Sequence, residues 1–180
     1  MPVASPFVSA KFDARQWEAI EPLIADLETR EVRSGAEYER WLLDRSELES
    51  ACSEAQANLY IEMTCHTDDD AVQKAYTRYV EDIPPRLKPR IFGLDKRLAE
   101  LSANFPLDRH RYEVLERDTR AGVEIFREEN VPIETELAKL GQKFGQVTGK
   151  MTVNFQGKDR TLPEMAKFHE SLDRSERESA

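Results

Sequence analysis

Between Ser34 and Met63 the chain reads SGAEYERWLLDRSELESACSEAQANLYIEM, and the period of its apolar residues decides the fold. Tyr38, Trp41, Leu48, Cys52, Ala55 and Leu59 recur at threes and fours, the spacing that lines side chains along one stripe of an α-helix. A long amphipathic helix is therefore expected from Ser34 to about Met63, ending at Thr64-Cys65-His66.

The same period extends to both sides. Upstream, Asp13 and Gln16 have the spacing of a reciprocal helix cap, and Trp17, Ile20, Ile24 and Leu27 follow as a stripe. Pro22 interrupts that segment, so either a kinked helix or two short ones are expected. Downstream, Thr67 with Asp70 forms a second capping pattern ahead of Val72, Ala75, Tyr76, Tyr79, Val80 and Ile83. Pro84-Pro85 is expected to end or bend this helix, after which Leu87, Ile91, Leu94, Leu98 and Leu101 make a further stripe. Asn104-Phe105-Pro106 reads as a turn. Tyr112, Leu115, Ile125 and Phe126 mark a fourth helix in which Gly122 leaves room for a close crossing. Asn130-Val131-Pro132 breaks it, and Ile133, Leu137, Leu140, Phe144 and Val147 give a fifth, stopping near Gly149.

At Met151 the period changes from 3.6 to 2. Met151, Val153 and Phe155 alternate with Thr152, Asn154 and Gln156, and Gly157 permits a tight turn into Lys158–Leu162. Thr161 with Glu164 then caps a last helix from about residue 163, with Met165, Phe168 and Leu172 on its apolar face and no stop signal before Ala180. The expected fold is mainly α, an antiparallel multi-helix array with one small hairpin at about 151–162, in a single region spanning 1–180.

Composition narrows the partners. The chain has 180 residues, of which 39% are hydrophobic and 34% charged, enough for a core beneath solvated helix faces. Its net charge of −9 repels phosphate backbones, and the best basic run, Arg86-Leu87-Lys88-Pro89-Arg90, is short and lacks interleaved aromatics. Nucleic acid is not expected as a partner. The opening MPVASPFVSAKFDAR has neither a basic start nor an unbroken apolar stretch, so no secretory leader is read there. No run approaches the length of a membrane span. Cys52 and Cys65 are too few for a disulfide framework, and free thiols in a cytoplasmic protein are expected.

The residue patterns name no reaction. His169-Glu170-Ser171-Leu172-Asp173 approaches a zincin helix, but the second imidazole is replaced by Asp173. Asp68-Asp69-Asp70 lacks the alternating ligands and central glycine of a calcium loop, and suits helix capping instead. Cys65 and His66 are adjacent, and adjacent side chains on a helix point about 100° apart. No G-x-S-x-G, Walker or G-x-G-x-x-G motif occurs. No catalytic, cofactor-binding or metal-binding residue is assigned.

A family resemblance runs through the chain in order. It lies in Trp17-Glu18-Ala19-Ile20-Glu21-Pro22, in Trp41-Leu42-Leu43-Asp44-Arg45-Ser46-Glu47-Leu48 and in Tyr60-Ile61-Glu62-Met63-Thr64-Cys65-His66-Thr67. It continues in Phe126-Arg127-Glu128-Glu129-Asn130-Val131-Pro132-Ile133. It is densest in Met151-Thr152-Val153, Gly157-Lys158, Thr161-Leu162 and Asp173-Arg174 with Arg177, a D-R-x-x-R pattern. As a set these resemble the N-terminal part of the zinc metallopeptidases of the oligoendopeptidase F family, kin of thimet oligopeptidase. The resemblance implies helices that form one wall of a deep cleft admitting short, unfolded peptides. It also implies that the H-E-x-x-H helix and the further glutamate of the zinc site lie C-terminal to D-R-x-x-R. No zinc or other cofactor is then expected in this chain, which would be inactive alone. Its expected partners are the missing C-terminal catalytic region or a neighbouring copy of the chain, meeting it through the hairpin edge or the last helix. A separately expressed fragment, a truncated gene product and one half of a split enzyme all fit, and a stand-alone helical interaction module is the alternative.

Overall fold

A computed structural model describes residues 6–180; the part of the leader reading that falls on residues 1–5 lies outside the described residues. The chain forms α1 (Trp17–Thr29), α2 (Gly35–Cys65), α3 (Asp70–Asn104), α4 (Arg109–Ile125) and α5 (Asn130–Lys150). The hairpin β1 (Thr152–Phe155) and β2 (Lys158–Thr161) follows, then α6 (Leu162–His169) and α7 (Arg174–Ser179). This is the mainly α array with a hairpin near its C-terminal end that the two periods predict.

Side-chain caps place α2 and α3. Ser34 Oγ accepts from Glu37 N at 3.3 Å and starts α2 where its stripe begins. Two of the expected caps shift by a few residues. Asp13 accepts from Arg15 N at 3.0 Å in a turn of its own, and α1 begins after Gln16 with no side-chain cap. Asp69, rather than Thr67, caps α3, accepting from Ala71 N at 2.8 Å and Val72 N at 3.3 Å. Pro22 does not divide α1. It lies on the exposed side, where solvent can satisfy the Glu18 carbonyl that a proline nitrogen cannot.

α3 departs most from expectation. It passes through Pro84, Pro85 and Pro89 and continues to Asn104. An interior proline costs a helix about 3 kcal/mol or more. Here Tyr76, Tyr79, Val80 and Ile83 before the prolines and Leu94, Leu98 and Leu101 after them are all buried in one core. Each large apolar side chain contributes about 1.5–3 kcal/mol on full burial, so an unbroken face outweighs the missing donors.

That core also closes over the end of α1. Trp41 Nε1 donates to the Leu27 carbonyl at 2.8 Å. The Arg97 guanidinium, reaching across from α3, donates to the carbonyls of Glu28 and Arg30. α4 is held at its two ends. Tyr112 is buried and its hydroxyl donates to Glu39 Oε1 at 2.6 Å, while Phe126 stacks on Phe92 with centroids 4.1 Å apart. Leu115 and Ile125, expected inside, are exposed, and a Cβ on Gly122 would meet open space rather than a crossing helix.

At the C-terminal end a smaller cluster forms. β1 and β2 pair antiparallel from Thr152 opposite Thr161 to Phe155 opposite Lys158. Phe155 and Met165 are buried, and the Phe155 and Phe168 rings lie 4.8 Å apart. The capping box between Thr161 and Glu164 forms as expected. The continuous last helix does not. Helix α6 ends at His169, and Asp173 starts α7 by accepting from Ser175 N at 2.8 Å, which leaves Leu172 between them and fully exposed.

The hairpin turn has Gln156 at φ 54° and Gly157 at φ 75°. Two positive φ values in a two-residue loop suit Asn-Gly, because Asn tolerates the left-handed region better than Gln. Gln156→Asn is expected to stabilise the hairpin by about 0.5–1 kcal/mol. Slower amide exchange across residues 152–161, with exchange in α2 unchanged, is the measurement that checks it.

Candidate functional site

The reactive-looking residues of the sequence are dispersed by the fold. His169 is the last residue of α6, Glu170 caps its C-terminus, and Asp173 is committed to the N-terminus of α7. Zinc needs its ligands converging at about 2.0–2.2 Å, and this arrangement does not fit the ion. Cys65 ends α2 and His66 follows it, both exposed. Asp68, Asp69 and Asp70 border an open hollow with His66, and Asp69 is engaged at the start of α3. Among the described residues no group of three His, Cys, Asp or Glu side chains is placed to hold a metal ion.

Three buried side chains titrate well above pH 7. Burial pushes the Cys52 thiol up to about 11 and the Tyr38 and Tyr79 hydroxyls up to about 12. None of the three is tuned for proton transfer near pH 7. The basic run on α3 is engaged within the molecule. Arg86 pairs with Asp82 at 3.1 Å, Lys88 with Glu134 and Arg90 with Glu28. A phosphate would have to displace a carboxylate at each.

The feature that stands apart is α5, which packs with its polar face inward. Val131 and Gln142 are buried and Ala138 packs against the core. Gln142 Nε2 donates to the Gln73 carbonyl at 3.0 Å and to Gln73 Oε1 at 3.2 Å, and Thr77 Oγ1 donates to Gln142 Oε1 at 2.7 Å. Gln146 Nε2 adds a bond to Gln73 Oε1 at 3.1 Å, while Gln73 Nε2 donates to the carbonyls of Met63 and His66. One amide network thus joins the end of α2, the first turns of α3 and the middle of α5. Thr67 completes the contact, 3.1 Å from the place a Cβ would take on Gly149. A Cβ there would need the Thr67 side chain to give way by a few tenths of an ångström.

In consequence the stripe expected to bury α5 faces out. Ile133, Leu137, Leu140, Phe144 and Val147 are 57–70% exposed, and Met151 continues the row at 48%. The sequence carries one signal for this inversion. The positions that pack inward (Val131, Thr135, Ala138, Gln142, Gln146 and Gly149) form a face of α5 without a charge, flanked by Glu134, Glu136, Lys139 and Lys143. A charge-free polar face can be buried if its amides are satisfied. Scattered exposed apolar residues are ordinary, but a contiguous row along a whole helix marks an interaction surface.

No family model, curated protein or solved structure matches the chain. Among the described residues no helix is long and apolar enough to cross a membrane.

The two cysteines provide a check on burial. In the native chain at pH 8 a thiol reagent is expected to modify Cys65 and spare Cys52, whose thiolate is scarce below about pH 11 and whose sulfur is covered. Titration with a chromogenic disulfide should count one thiol, and two after urea. The amide network gives a second check. Gln142→Leu strands the partner groups on Gln73 and Thr77, and a loss of about 1–3 kcal/mol is expected in urea unfolding. Amide exchange should quicken in α5 more than in α1.

Proposed function

We propose that this chain is the substrate-gating N-terminal helical region of a zinc metallo-oligopeptidase, inactive by itself. A catalytic region outside these residues would supply H-E-x-x-H, the zinc ion and the hydrolysis of peptide bonds in short peptides. The observation that carries this reading is the ordered run of segments resembling the oligoendopeptidase F family, from Trp17 to Arg177. The resembling residues serve structural ends here. Trp17 and Ile20 fill the core, Trp41 holds the end of α1, and Asp173 of D-R-x-x-R caps α7.

On this reading α1 to α3 form a rigid wall beside the peptide path, because their shared core holds Trp41, Ile83 and Leu98 at 0–1% exposure.

One observation favours the alternative, a stand-alone helical interaction module. The α1–α2–α3 core closes around Trp41 with residues of this chain. The reading frame beyond codon 180 separates the two, since H-E-x-x-H encoded there would end the alternative. The direct test incubates the purified chain with zinc and a quenched fluorescent oligopeptide. No chelator-sensitive turnover is expected from the chain alone, and turnover is expected once a catalytic region is joined to it. Turnover by the chain alone would overturn the assignment of the chemistry elsewhere.

A further inference from the structure

We infer that the exposed face of α5 is a self-complementary seam on which a second copy of this chain docks antiparallel. The inference rests on α5 alone and goes beyond the peptidase reading. A catalytic region would compete for the same face.

The spacing supports it first. Ile133, Leu137, Leu140, Phe144, Val147 and Met151 follow one another at intervals of four, three, four, three and four residues, the alternation of a coiled-coil seam. The row runs for about 27 Å at the rise of an α-helix. From Ile133 to Val147 it is already helical, with Met151 at the C-cap, and it is braced from behind by the Gln73–Gln142 network, so docking need not first order it. Laid antiparallel on itself about a point between Leu140 and Phe144, the row matches in every layer. Ile133 opposes Met151 of the second copy, Leu137 opposes Val147 and Leu140 opposes Phe144. Each layer joins one residue of each seam position, as antiparallel pairs require.

Charge fixes the direction. The residues beside the seam are acidic in the first half of α5 (Glu134, Glu136) and basic in the second (Lys143, Lys150). In the antiparallel register Glu136 lies beside Lys150 of the second copy, and the two-fold axis repeats the pair. Lys143 meets its own copy near the axis, the one unfavourable contact. A parallel arrangement would set Glu136 beside Gly141 and Lys143 beside Thr148, with no pairing at all. Opposite charges that flank a seam choose orientation more than they add affinity.

Area sets the strength. Six half-exposed to two-thirds-exposed side chains on each copy bury roughly 1,000 Å² in total, the lower bound for a specific interface. An interface of that size belongs to a weak, reversible dimer.

Sedimentation velocity of the full chain from about 1 to 500 µM tests this, with each variant first checked for unchanged helix content by circular dichroism. The wild-type chain should pass from monomer to dimer across that range. Leu140→Asp should remain monomeric throughout; its side chain is 57% exposed, so folding is not at stake. Glu136→Lys and Lys150→Glu should each weaken the dimer about fivefold or more, and the double variant should return it to within about twofold of wild type. A wild-type chain monomeric at 500 µM would overturn the proposal, as would a dimer that survives Leu140→Asp or one that the double charge reversal fails to restore. Those outcomes leave the peptidase reading untouched, because it is judged by turnover and not by assembly state.

Discussion

Leu27 ends the buried stripe of α1, and its carbonyl meets the Trp41 indole across the core at 2.8 Å. A helix terminus leaves carbonyls without intrahelical donors, and a buried one left unpaired costs about 1–3 kcal/mol. Trp41 satisfies one such group, and Arg97 of α3 satisfies two more. Once that end is fixed, Arg30 reaches the buried Asp44 at 2.6 Å, Arg40 joins it at 2.8 Å, and Arg90 pairs with Glu28. A carboxylate as covered as Asp44 needs such cations nearby. The first three helices are therefore registered by the polar groups at one helix end, while apolar burial supplies most of the energy.

α5 divides those two roles between its opposite faces. The inward face makes few apolar contacts but several directed amide bonds, which tolerate little rotation of the helix. The outward face is apolar and undirected, so it can accept any partner of matching spacing. A helix fixed by hydrogen bonds and left apolar outside is suited to joining something further onto a finished core.

The helices and the hairpin were legible in the sequence because period is a local property. The 3.6-residue stripe of Tyr38, Trp41 and Leu48 and the alternation from Met151 each name an element without knowledge of its neighbours. What a stripe meets is not local. Leu137 and Leu140 repeat as regularly as Leu94 and Leu98, yet the first pair faces out and the second is buried. The prolines of α3 misled for a related reason: their cost is local, and the core that offsets it draws on residues as distant as Ile20 and Trp41. No motif joins His66, His110 and His169, which lie far apart in the sequence. The amide network was harder to read, because glutamine is common on solvated helix faces and only its lack of charged neighbours at 131, 135, 138, 142 and 149 marks it.

The prolines of α3 also have a mechanical consequence. Pro84, Pro85 and Pro89 have no N–H to offer the carbonyls of Val80, Glu81 and Pro85, so three rungs of the ladder are missing within about two turns. On the near side of Pro89, Gln73, Thr77, Glu81 and Lys88 carry α5. On the other, Arg90 and Arg97 carry the end of α1, and Phe92 carries the segment after α4. Bending stiffness along a helix comes largely from its rungs, so α3 is most compliant across its three prolines. Force applied to α5 by whatever covers it would reach α3 beside the stretch where its backbone has the fewest rungs.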